Sequence, residues 1–339
     1  MTESILTKIL NEVVTTKNYQ ASADRFKIIL PEIEKLLDRR VLFYFASEVG
    51  MDYSCMVNDE DAFVIENLLS IESSKKDLVL ILHSNGGFSP SAERIIDVCK
   101  NYCKKKADGS EFIVIVPKRA KSAATILSLG SDKVYLRNTA ELGPIDPQLP
   151  VTDANNATQF IPAYLQVDAI ENLLGSTPLL SKLKFKNFFN NKKAFEDLRT
   201  EIKIKFFDQC NYPLYITAKN EIGLSDSIIE KITKEKIDIN PKILKTDLDI
   251  FRDPHLTKSH GRLINLNDLK DNSLCKEKVI NSLENLFDNK LNYQSVDELL
   301  FELYVRKRQL LNDPGNQIVK TIETINESFS NSGKKSGQP

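Results

Sequence analysis

Histidine and cysteine are scarce in this chain. Three histidines and five cysteines are spread over 339 residues. The cysteines, Cys55, Cys99, Cys103, Cys210 and Cys275, are odd in number and irregular in spacing. That argues against a disulfide framework and against a zinc site. An excess of one charge is also missing: 46 Lys and Arg stand against 47 Asp and Glu, a net charge of −1. The chain as a whole therefore makes no case for binding nucleic acid or a charged membrane surface. No apolar run approaches the roughly eighteen to twenty residues that cross a bilayer. The opening MTESILTKILNEVV lacks the apolar stretch and small-residue cleavage site of a secretory signal. The expectation is a cytoplasmic protein with reduced thiols, no metal and no cofactor. What is present is 41% hydrophobic and 27% charged residues, enough for a sizeable core.

The informative part is a set of short apolar runs. Val41–Ala46, Leu78–Leu82 and Phe112–Val116 are continuous and largely apolar, as expected of strands buried on both faces. Lys133–Leu136 reads as a further strand. Between them lie helical patterns: Asn58–Leu69 with acidic residues in its first turn, residues 89–106 with an apolar stripe through Ala92, Ile95, Ile96, Cys99 and Cys103, and Ser122–Leu129 ending at Gly130. Strand–helix–strand alternation implies an α/β fold. Two strand ends stand out. One runs into HSNGG at His83–Gly87, where paired glycines permit positive φ and close approach of a ligand. The other runs through Ala120–Thr125, AKSAAT, where a serine precedes a helix N-terminus with unpaired amides. Such a serine is ordinarily an N-cap; unpaired amides beside it also suit an oxyanion.

HSNGG, AKSAAT and the following LGPIDPQ at Leu142–Gln148 occur in the order and spacing of the ClpP/crotonase superfamily of serine peptidases. Within that group the chain resembles the serine dehydrogenase proteinase family, relatives of the SppA peptidases. The resemblance covers residues 40–150. It implies a ClpP/crotonase-like spiral of ββα units, here with added N- and C-terminal helices, and peptide hydrolysis by a serine endopeptidase. Residue by residue it assigns the nucleophile to Ser122 and the oxyanion donors to Ala123 and to Gly86 or Gly87. It also implies homo-oligomers acting on a peptide or protein substrate. Asn85 stands where the family's glycine motif has proline.

A serine hydroxyl needs a base, and the family's two solutions are histidine and lysine. The place where ClpP carries histidine holds LGPIDP here. The candidates left are Lys133, Lys182, Lys184, Lys186 and His260. Lys121 adjoins the serine, but neighbouring residues at a helix start point apart, which suits it to binding an acidic group. His83 reads as a buried packing residue. Asp146 reads equally as an orienting group or as the fixed point of a turn. Two rival readings use the same amides without this chemistry: an inactive peptide-binding or scaffold relative, and an acyl-CoA enzyme of crotonase type.

The expected organisation is a helical arm over 1–39, a core over 40–175, a mostly helical region over 176–327 and a disordered tail over 328–339. Residues 150–160 read as a polar loop and residues 276–312 as helix.

Overall fold

The computed structural model describes residues 4–9, 11–12, 19–49, 53–71, 73–75, 77–106, 109–152, 158–174, 201, 205, 211–234, 241–257, 259–313 and 316–332. Two compact units emerge, Met1–Ile145 with Ile228–Pro339, and Asp146–Ser227.

The first unit is built on a seven-stranded sheet. In chain order its strands are β1 (Arg40–Ala46), β2 (Leu78–His83), β3 (Phe112–Val116), β5 (Lys133–Leu136), β9 (Ile280–Ser282), β10 (Ile318–Glu323) and β11 (Ser328–Ser332), arranged β11-β10-β1-β2-β3-β5-β9. The five strands β1, β2, β3, β5 and β9 run parallel to one another, while β10 pairs antiparallel with β1, and β11 antiparallel with β10. A two-stranded parallel pair, β4 (Arg119–Ala120) and β6 (Glu141–Leu142), lies off the main sheet.

Period-two alternation explains the unbroken apolar runs. Leu42 and Tyr44 of β1, Leu80 and Leu82 of β2, and Val114 and Val116 of β3 face one core. Phe43, Phe45, Val79, Ile81, Ile113 and Ile115 face the other. Helices α3 (Asp59–Ser70), α4 (Ser89–Lys106) and α5 (Ala123–Gly130) cover the first face. The opposite face is covered by α2 (Tyr19–Leu37), through Phe26, Ile29, Leu30 and Ile33, and by the long C-terminal helix Lys290–Asn312. The N-terminal arm thus packs on its own core. The α/β architecture is the expected one.

Local sequence sets the helix ends. Asn58 caps α3: its side chain accepts from the Glu60 and Asp61 amides, and the Asp61 carboxylate takes the Asn58 N–H, a complete capping box. Helix α5 ends at Gly130, as the sequence suggests, and a Cβ there would stand 2.1 Å from Ile96 Cδ1. The glycine is there because α4 and α5 pack too closely for a side chain. On α4, burial pushes the Cys103 thiol up to about 12 and raises that of Cys99 too. Among the described residues no cluster of His, Cys, Asp or Glu could hold a metal. No helix among them is long and apolar enough to cross a membrane.

Three expectations fail here. Residues 276–312 are not all helix, because Ile280–Ser282 adds β9 at the sheet edge. Ser328–Ser332 is not disordered; its backbone pairs antiparallel with β10, which a polar sequence can do at an edge. The loop foreseen over 150–160 is largely a hairpin, β7 (Gln148–Thr152) against β8 (Thr158–Pro162). That hairpin belongs to the second unit with α6 (Ala163–Leu174) and the first part of α7 (Tyr212–Lys234). A small cluster around Leu149, Ala163 and Ala218 holds this unit together.

Candidate active site

The C-terminal ends of β2 and β3 deliver two loops to one place. After β2, Ser84 and Ala120 form a parallel bridge: the Ser84 amide donates to Arg119 O at 3.1 Å, and the Lys121 amide donates to Ser84 O at 3.1 Å. The chain then turns through Gly86 at φ 105°. A Cβ at Gly86 would lie 2.5 Å from Lys121 O, 2.7 Å from Ser122 Cβ and 3.0 Å from Ala123 N. The glycine turn therefore abuts the serine turn directly, and only glycine fits. Gly87 is equally confined: a Cβ would meet Val57 O at 2.3 Å. Val57 clamps this loop from the other side, its amide donating to Gly86 O and its carbonyl accepting from Phe88 N, both at 2.9 Å.

Ser122 is not acting as an ordinary cap. It stands at the N-cap position of α5 with φ 50° and ψ −123°, and its side chain makes no capping hydrogen bond. An N-cap serine normally has extended backbone and bonds the N2 or N3 amide. Positive φ at a non-glycine residue costs on the order of 1–3 kcal/mol and persists only where its surroundings enforce it. The enforcing bonds are visible. The Ser122 amide donates to Pro144 O at 3.1 Å, and its carbonyl accepts from the Thr125 and Ile126 amides. A sharp strand-to-helix turn of this kind presents a serine oxygen outward.

The amides around Ser122 sort themselves. Gly86 N–H is engaged by Ser84 Oγ at 3.0 Å. The Gly87 and Ala123 N–H groups make no hydrogen bond among the described residues. The Ser122 hydroxyl likewise has no partner among them.

Thr125 was not singled out in the sequence, yet it ties the site together. Its buried Oγ1 accepts from the Gly143 amide at 3.1 Å and lies 2.8 Å from Ala120 O and 3.0 Å from Gly143 O. One hydroxyl thus joins the strand before Ser122, the helix after it and the LGP segment. The threonine that ends AKSAAT was the available signal. Replacing Thr125 with valine keeps the shape and leaves the buried Gly143 amide unpaired. This is expected to cost about 1–3 kcal/mol of stability, read as a lower urea midpoint, while Thr125→Ser stays near wild type. An unchanged midpoint in the valine variant contradicts the bridging role.

The candidate bases fall in different places. Lys133 opens β5, beyond the eight-residue α5 that follows Ser122, and pairs with Glu111 at 2.7 Å. At about 1.5 Å per residue that helix separates it from the serine by roughly 12 Å, so Lys133 is removed from the candidates. Lys182, Lys184 and Lys186 lie outside the described residues. His260 is half-buried on a loop beside the serine turn: the next carbonyl, Gly261 O, accepts from Lys121 Nζ at 3.1 Å. Lys121 itself is directed there and toward Glu141, 3.7 Å away. Its pKa is lowered, by burial first and then by neighbouring Arg119. His83 points to the far face of the sheet, one alternation beyond Ile81. There it stacks on Phe45 at 4.3 Å, with Nε2 3.2 Å from Glu48. Burial lowers its pKa against the opposing pull of Glu48. Asp146, in the second unit, accepts from Gln148 Nε2 at 3.1 Å.

Parts of the chain are similar to known proteins. Two uncharacterized proteins of Methanocaldococcus jannaschii are similar to the chain. One is 27% identical over 216 residues, covering 60% of this chain and 69% of its own length; the other is 24% identical over 166 residues, covering 42% and 55%. Among solved structures, two mutants of the 1510-N membrane-bound stomatin-specific protease, one in complex with a substrate peptide, match 40% of this chain. They do so at 16% and 17% identity, each with a TM-score of 0.27, over 61% and 57% of their own chains. The aligned part is thus under two thirds of those solved chains. Residues 50–172, which hold the glycine turn, the Ser122 turn and LGPIDPQ, match the family of ClpP-like SDH-type serine proteinases.

Proposed function

We propose that the protein is a serine peptidase that hydrolyses peptide bonds through an acyl-enzyme on Ser122. The observation that carries this reading is the seating of Gly86 against Ser122, with Gly87 and Ala123 amides that make no hydrogen bond among the described residues, beside a serine whose side chain makes no capping bond. In the proposed reaction Ser122 Oγ attacks the scissile carbonyl carbon. The carbonyl oxygen becomes an oxyanion held by the Gly87 and Ala123 N–H groups, and one such donor is worth about 10²–10³ in rate. Choosing Gly87 over Gly86 follows from the engaged Gly86 amide. A lysine or histidine takes the serine proton and returns it to the leaving amine; water then releases the acyl group. His260, on the loop that meets Lys121, is our first choice for that base, ahead of Lys182, Lys184 and Lys186. No metal or nucleotide enters the scheme. A homo-oligomeric assembly, on the strength of the family resemblance, and a cytoplasmic setting, from the reduced thiols expected of the sequence, belong to the same proposal.

The alternative is a relative that binds a carbonyl in this site without cleaving. Reaction with a fluorophosphonate probe separates the two, because phosphonylation needs an activated hydroxyl. Labelling of wild type and none of Ser122→Ala is the expected result. Failure of folded wild type to label anywhere between about pH 6 and 10, where a histidine or a lysine of lowered pKa would act, supports the binding module instead.

A further inference from the structure

Two aromatic rings stand in the open beside the glycine turn. Phe88 follows Gly87 directly and is 46% exposed; Tyr53 is 55% exposed. Their ring centroids are 5.6 Å apart, tilted by 46°. Neither ring sits on slack backbone. The Phe88 amide donates to Val57 O at 2.9 Å, and its carbonyl accepts from Ala92 N at the start of α4. The Tyr53 carbonyl accepts from Met56 N at 3.2 Å and from Asn58 Nδ2 at 3.1 Å, so it hangs on the capping residue of α3. The same Val57 that clamps Gly86 and Gly87 thus lies between the two rings in the chain's hydrogen bonding.

A peptide carbonyl placed at the Gly87 amide brings its own residue's side chain next to Phe88, because consecutive Cα atoms are only about 3.8 Å apart. Two rigidly mounted, solvent-exposed rings then offer apolar surface to whatever side chain arrives. We propose that Tyr53 and Phe88 receive a large apolar or aromatic side chain on the peptide residue whose carbonyl lies beside Ser122. This names a substrate class for the same site and rests on the peptidase reading.

The chain has no tryptophan, so tryptophan in a ligand can be observed alone. The test uses Ser122→Ala protein, to prevent turnover, and a blocked pentapeptide with a single central Trp among alanines. A second peptide, titrated by calorimetry, carries Ser in place of Trp. On binding, Trp emission shifts to the blue, and the Trp peptide binds at least tenfold more tightly than the Ser peptide. Adding Tyr53→Ala and Phe88→Ala weakens the Trp peptide by about tenfold, the loss expected for aromatic contacts of about 0.5–1.5 kcal/mol each. It leaves the Ser peptide unchanged. An unaltered thermal midpoint confirms that the variant is folded. Equal Trp-peptide affinity with and without the rings overturns the proposal. So does a drop in oligomeric state by sedimentation in the ring variant, which would mean that a second copy covers the pair. Fluorophosphonate labelling of wild type reads the chemistry separately. If it fails while ring-dependent Trp binding persists, the subsite stands and the hydrolysis does not.

Discussion

Replacing Gly86 with alanine is expected to lower the rate of Ser122 phosphonylation by two to three orders of magnitude. The alanine methyl would fall 2.5 Å from Lys121 O and 2.7 Å from Ser122 Cβ, contacts that real Cβ atoms do not make. Both neighbours are held: Lys121 N–H by Ser84 O, and Ser122 N–H by Pro144 O. The backbone must therefore move, and φ 105° is itself unfavourable for alanine. Displacing the turn moves the Gly87 amide, and loss of one oxyanion donor costs about 10²–10³ in rate. Crowding adds roughly 1–3 kcal/mol of destabilisation. Stopped-time labelling of protein shown by circular dichroism to be folded is the appropriate measurement. Labelling within about threefold of wild type means that the glycine turn plays no part in holding charge.

The largest effect on stability is expected at Lys320. It lies in β10, fully buried, with Nζ 2.6 Å from Asp61 Oδ1 and 2.9 Å from Met56 O. The other Asp61 oxygen accepts from the Tyr44 hydroxyl and the Asn58 amide, both at 2.9 Å. Lys320→Met strands a buried carboxylate, at a cost of about 3–5 kcal/mol. Adding Asp61→Asn removes the stranded charge and keeps the Tyr44 contact, so the double variant recovers part of the loss. Burial raises the Asp61 pKa, and Lys320 is the leading influence opposing it. Without the lysine the folded protein holds its proton to higher pH than the unfolded chain does. Stability of Lys320→Met therefore falls as pH rises above the ordinary carboxylate range and is regained on acidification. Urea titrations from about pH 4 to 8 read this directly. A midpoint equal to wild type throughout contradicts it. Met56 precedes the Val57 that clamps the glycine turn, so this C-terminal strand, outside residues 50–172, supports the site's frame.

That pairing also shows why some of the fold could not be read from the chain. β1, β2 and β3 were legible because both faces of each are covered, which demands the unbroken runs VLFYFA, LVLIL and FIVIV. In β10, IVKTIE carries a lysine that is tolerable inside because Asp61, 259 positions away in sequence, pairs with it in the fold, and no local pattern announces such a partner.

 β9 is three residues long and β11 is polar, too short and too mixed for any periodicity. The hairpin β7–β8 was hidden for the same reason, since PVTDANN has the composition of a loop.

The site divides in a similar way. The close approach of Gly86 to the Ser122 turn leaves its mark in the small side chains of HSNGG and AKSAAT. Which glycine amide makes no hydrogen bond among the described residues has no such mark, since it depends on Ser84 Oγ turning back to Gly86. Lys133 looked near in sequence and is remote in space, because α5 intervenes. Gly143 carries its own reason: a Cβ there would stand 2.6 Å from Lys121 Cγ.

The most direct test is a crystal structure of the protein after reaction with a compact fluorophosphonate. The account predicts a covalent bond from Ser122 Oγ to phosphorus, with the phosphonyl oxygen about 2.7–3.1 Å from both the Gly87 and Ala123 nitrogens. An adduct whose oxygen faces solvent, or one formed on another residue while Ser122 stays free, would contradict it.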